Sequence, residues 1–146
     1  MSRTKTSFMW LLALSMVGVG VAHFVVPGPF EMIVPDWLPA PLWLVWISGV
    51  FEILGGLGLL LPRTRVLAAW GLIALFIAVF PANLHQAMHG IQFDPANPMP
   101  PWAAWARLPL QLVFIAWAHW LTRPTATQAA GKGRDATAVG GLAGPG

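Results

Sequence analysis

Residues 42–61 read LWLVWISGVFEILGGLGLLL, twenty residues with one charge, Glu52, near the middle. A helix of that length is about 30 Å long, which matches the hydrocarbon core of a bilayer. The stretch predicts a transmembrane helix. An ionisable side chain at mid-depth is costly, so Glu52 is expected to face the protein interior and have a partner there. Ser48, Glu52 and Gly55 recur at i, i+4 and i+7 on one stripe. Gly55 and Gly56 leave room for a second backbone beside that carboxyl.

The other apolar runs arrange themselves around this one. Residues 8–26 form a first span, interrupted by His23 and preceded by a basic segment, residues 1–7, with Arg3 and Lys5. A signal peptide has the same features, with Gly20-Val21-Ala22 as a small-residue cleavage site. The apolar run continues past that site to Val26, which favours a span. Pro27 and Pro29 end it, and residues 30–34 are expected to form one apolar turn in a connector carrying Glu31 and Asp36. The basic turn Pro62-Arg63-Thr64-Arg65 is short, so the next span, residues 66–89, runs antiparallel beside 42–61. Pro81 is expected to kink that span by freeing the carbonyl of Ile77. Gly71, Ala74, Ala78 and Ala82 make a small-residue stripe suited to tight helix contact, continued by His85 and His89. A proline-rich loop with Asp94 leads to a fourth span, residues 102–121, which holds Arg107 and Gln111. Residues 122–146 are rich in Gly, Ala and Thr with no period and read as a disordered cytoplasmic tail. The expected fold is all-α, a four-helix transmembrane bundle.

Composition agrees. The chain has 146 residues, 57% apolar and 9% charged, against about 25% charged in soluble domains. It has no Cys, which excludes disulfides, thiolate metal sites, iron–sulfur clusters held by this chain and thiol catalysis. The net charge of +3 comes from eight basic residues gathered at helix ends, a topology signal rather than a nucleic-acid surface. With the N-terminus inside, Arg3, Lys5, Arg63, Arg65, Arg123, Lys132 and Arg134 all fall inside, while Glu31, Asp36 and Asp94 fall outside. The positive-inside rule then places both termini in the cytoplasm. Trp10, Trp70, Trp117 and Trp120 fall toward the inner interface, and Trp37, Trp43, Trp46, Trp102 and Trp105 toward the outer one.

Once the spans are oriented, His23, Asn83, His85, Arg107 and Gln111 share the outer half, with Glu52 at the middle and only His119 clearly at the inner end. The expected site is a polar pocket of His23, Ser48, Glu52, Asn83, His85, Arg107 and Gln111, open to the outer leaflet. The same groups can instead glue the helices together. Arg107 lies roughly 8 Å shallower than Glu52 by helical rise: it can reach Glu52 directly or across a ligand or water, and Glu52 is expected to be neutral if no cation reaches it. His85 and His89 have metal-ligand spacing, but HQAMH lacks the Glu of HExxH, and no metal is expected. Haem ligation by His23 and His85 is equally well explained as packing. Ser48 has no His and Asp around it, and Gly55-Gly56-Leu57-Gly58 lies within a span, so neither a serine nucleophile nor a phosphate loop is expected. No catalytic residue and no cofactor motif emerges.

Several of these residues together resemble a known family. His23-Phe24 with Pro27, Val34-Pro35, Ser48-Gly49, Glu52, Gly55-Gly56-Leu57-Gly58, Pro62-Arg63, Phe80-Pro81-Ala82-Asn83 and Arg107-Leu108-Pro109 with Gln111 look like the DoxX-like family of small bacterial membrane proteins. The resemblance covers about residues 8–122. It implies a four-helix bundle in a bacterial cytoplasmic (inner) membrane. Members of that family are linked to thiosulfate:quinone oxidoreductase and to membrane redox-stress complexes. The resemblance therefore implies a quinone-interacting or accessory subunit beside a redox-enzyme partner. The residues by themselves equally allow a non-catalytic membrane anchor, alone or as a homo-oligomer.

Overall fold

The computed structural model describes residues 2–94 and 96–123, and every regular element among them is helical. Five helices form: α1 (Arg3–Val25), α2 (Pro27–Glu31), α3 (Pro41–Leu60), α4 (Arg65–His89) and α5 (Pro101–Thr122). Four of them answer to the four expected spans. The fifth, α2, is a short helix that Pro27 starts at its first position, slightly before the apolar turn expected at residues 30–34. Helix α1 begins earlier than the apolar run because the Ser2 side chain accepts from the Lys5 N–H and caps it. Helix α4 runs through Pro81 without a break and ends at Gly90, whose φ of 62° suits a residue with no side chain. The expected disordered tail lies outside the described residues from position 124 onward.

α1, α3 and α4 are each long and apolar enough to cross a membrane. α5 is as long, but Arg107, Pro109, Gln111, His119 and four tryptophans lower its hydropathy.

Neighbouring long helices run antiparallel. Gly49 meets Gly20 and His23 while Gly56 meets Ala13, so α1 and α3 oppose each other. Gly55 meets Leu72 and Gly58 meets Ala68, which sets α3 against α4. Phe76 packs on Phe114 and Trp70 on His119, which sets α4 against α5. The ring closes at one end only. There Phe8 of α1 makes edge contacts with Trp117 and Trp120 of α5, and the Lys5 Nζ donates to the Arg123 carbonyl. The packed core sits toward this basic end: Met9, Leu12, Ala13 and Met16 meet Leu59, Ala69, Leu72, Ile73, Phe76, Ala118 and Leu121. Toward the other end the α1–α3 pair and the α4–α5 pair stand apart.

Candidate functional site

Where the helices separate, a cavity of about 970 Å³ opens between them. Six of the seven expected site residues line it: His23, Ser48, Glu52, Asn83, Arg107 and Gln111. The seventh, His85, does not. It lies in a shallower cleft of about 430 Å³ with Asp36, Trp37 and His89. The His85 and His89 rings lie against each other there, tilted by 39° with 4.1 Å between centroids, and no group of three metal-ligating side chains occurs among the described residues.

One wall of the cavity belongs to α1 and α3. These two helices touch through backbone: a Cβ on Gly49 would lie 2.8 Å from the His23 Cβ and 2.9 Å from the Gly20 carbonyl oxygen. That closeness brings His23 and Glu52 together, with Nδ1 3.2 Å from Glu52 Oε2. A neutral imidazole nitrogen carries at most one hydrogen. The His23 Nδ1 hydrogen is taken by the nearer Val19 carbonyl, at 2.8 Å. Glu52 Oε2 is therefore buried beside the ring with no hydrogen-bond partner among the described residues. Ser48 turns its hydroxyl to the Val45 carbonyl of its own helix, at 2.8 Å.

The opposite wall belongs to α4 and α5. Gln111 donates to the Phe76 carbonyl, one residue before the carbonyl that Pro81 leaves without a helical donor, and accepts from Asn83 at 3.0 Å. Arg107 donates to Gln86 Oε1 at 3.1 Å and to the Met99 sulfur at 3.9 Å. Its guanidinium lies over the Phe93 ring, 4.4 Å from the centroid. Of the expected arrangements, the direct Glu52–Arg107 contact does not form: among the described residues the only ion-pair neighbour of Glu52 is His23, and Arg107 has none. The two groups lean toward different walls because each finds neighbours on the helix packed against its own.

Three participants escaped the sequence reading. Gln86 is fully buried and links Arg107 to the Ile91 carbonyl. Its only signal was an amide inside an apolar helix. Phe30 stacks on His23, 4.0 Å between centroids, and Phe93 lies 6.2 Å from Phe30 and over Arg107. With Ile33, Val34 and Leu38 these two rings roof the cavity at its far end. Phe93 is held in place by the next residue: Asp94 accepts from Asn97 Nδ2 at 2.8 Å and from the Ala96 N–H at 2.9 Å. Those donors, Asn97 foremost, hold its carboxyl below the usual carboxylate range.

The small-residue stripe also differs from expectation. Ala74 and Ala78 are exposed, and a Cβ on Gly71 would meet nothing within 4 Å. All three border the cavity instead of a neighbouring helix. The helix contact of α4 is made by the opposite kind of residue, the large Leu72 and Phe76.

A family model described as a domain of unknown function, DUF8561, matches residues 12–122, a stretch that contains every residue lining the cavity. No curated protein and no solved structure matches the chain. The matching family is not the DoxX-like one, so the resemblance drawn from His23, Glu52 and the Gly55–Gly58 run is corrected.

Proposed function

The chain belongs to the DUF8561 family, and from that premise we propose that it is a membrane-embedded protein that holds a lipid-soluble small molecule by a polar head. In this reading α5 is the fourth span, the basic end faces the cytoplasm of a bacterial cell, and the roofed end lies in the outer half of the cytoplasmic membrane. The supporting observation is the cavity itself, with seven polar side chains from four helices, Ser15 and the six expected ones, around an otherwise apolar space. Pockets of this size and lining suit small molecules. A quinone fits the chemistry: Arg107 and Asn83 offer donors to its oxygens, and Glu52 is a proton-exchanging group at bilayer depth. The chain carries no evident electron input, so this is the role of an accessory subunit beside a redox partner, not of an enzyme by itself.

A second reading has its own support. Gln111, Asn83, Gln86 and Arg107 satisfy one another across α4 and α5. A membrane anchor, whether a partner of another protein or a homo-oligomer, would use them as glue. Native mass spectrometry of protein extracted in a mild detergent separates the two. The ligand-holding reading expects a non-phospholipid mass on the wild type that is lost in an Arg107→Gln, Glu52→Gln double variant. Identical spectra from both, carrying ordinary phospholipid only, would leave the anchor.

A further inference from the structure

The cavity is covered at its end and open along its flank. Phe30, Phe93 and Leu38 lie across the end. The flank between α3 and α4 is different. Near the basic end these helices are locked, since a Cβ on Gly55 would lie 2.5 Å from Leu72 Cδ2 and one on Gly58 2.7 Å from the Ala68 Cβ. Residues 61–64 tie them there, with Thr64 Oγ1 donating to the Gly58 carbonyl at 3.0 Å and Arg65 Nε to the Leu59 carbonyl at 2.9 Å. Gly71, one residue nearer the basic end than Leu72 and about 100° around the helix from it, faces open space and borders the cavity. From Gly71 to Ala82 the α4 edge is roughly 16 Å of small residues. The facing α3 edge carries Ile47, 49% exposed, and Phe51, 58% exposed, and all of these residues border the cavity.

Resting on the ligand-holding reading, we infer that this slot between α3 and α4 is a lateral doorway for a tailed ligand. A head bearing carbonyl or hydroxyl oxygens sits between Glu52 and Arg107, and a long apolar tail runs out past Gly71, Ala74 and Ala78 into the hydrocarbon. The slot edges are apolar while the chamber behind them is polar, which matches an amphiphile lying across the boundary. Glu52 Oε2, buried and without a hydrogen bond, marks the head end. Small residues serve here to keep a passage open: a Cβ on Gly71 would meet nothing within 4 Å, and Ala74 and Ala78 are exposed. A compact polar solute has no use for such a slot, and the roof denies it the direct route from water.

The test uses the full chain in nanodiscs and two probes: 2,3-dimethoxy-5-methyl-1,4-benzoquinone bearing a decyl chain, and the same quinone without it. Wild-type protein binds the decyl form at least about tenfold more tightly. Ala78→Trp narrows the slot at an exposed position. It weakens the decyl form about tenfold and changes the tailless form by less than about twofold. Phe51→Ala, which cannot clash, speeds association of the decyl form several-fold and leaves the tailless form unchanged. Equal effects on both probes, or no effect on either, overturn the doorway while leaving a quinone site in place. Wild-type protein that binds neither probe overturns the quinone reading and the doorway with it.

Discussion

Helix α3 has two seams, and they are built on opposite terms. Against α1 it is closed along its length: Gly20, Gly49 and Gly56 let backbone meet backbone, and His23 lands on Glu52. Against α4 it is closed near the basic end, where Leu72 fills the space over Gly55 and Ala68 that over Gly58, and farther along Ile47, Ser48 and Phe51 border the cavity instead. The same residue type therefore does contrary things. Glycine on the first seam permits contact; Gly71 on the second has nothing to contact. A small residue in an apolar helix signals room, and only the neighbour decides whether the room is filled. Without a strong hydrophobic drive between helices in lipid, van der Waals fit is what holds such seams.

Substitutions that attack one seam and spare the other probe this contrast. Gly49→Leu drives a side chain into the Gly20 carbonyl and His23, neither of which can yield without separating the helices. It should cost about 3 kcal/mol or more and appear as a large fall in the detergent melting temperature; an unchanged melt would break the picture of a closed α1–α3 seam. Leu72→Ala empties the fully buried plug over Gly55. A loss of about 2–3 kcal/mol is expected, read by chemical unfolding in micelles, and a loss under half of that would mean the second seam is open throughout. Gln111→Leu removes the bonds to Phe76 and Asn83 and should cost about 1 kcal/mol, measured in a double-mutant cycle with Asn83→Leu. Full additivity in that cycle would show that the two side chains are not coupled. Gly71→Ala is the mirror of the first change. With open space around it, the methyl meets no atom, and helix propensity alone should raise stability by somewhat less than about 1 kcal/mol. Destabilisation at this position would show that α4 does have a neighbour there.

The long helices were legible because twenty-residue apolar runs and prolines mark spans and their ends on any scale of reading. Helical rise alone puts His23, Asn83, His85, Arg107 and Gln111 at one level, and all of these but His85 reach one cavity. Azimuth was not legible. Rise cannot say which way a side chain turns, so it does not show that His23 is the direct neighbour of Glu52 or that His85 lines the other cleft. The stripe of Gly71, Ala74 and Ala78 was read as contact for the same reason. Phe30 and Phe93 stayed invisible because they sit in connectors, where no period reports burial, and they come together only when α2 and the loop before α5 fold over the bundle.

The clasp of α1 and α5, made by Lys5, Phe8, Trp117, Trp120 and Arg123, joins the four long helices into a ring at one end only. In mechanical terms the bundle is a collet whose two jaws, the α1–α3 and α4–α5 pairs, are fixed at the base and meet at the far end through the Phe30–Phe93 contact. In the proposed membrane setting, sideways crowding by acyl chains acts on the jaws more than on the base. The chamber would then shrink as that leaflet packs more tightly and widen as it loosens, which makes lateral pressure, and not only the concentration of a ligand, a variable that sets its occupancy.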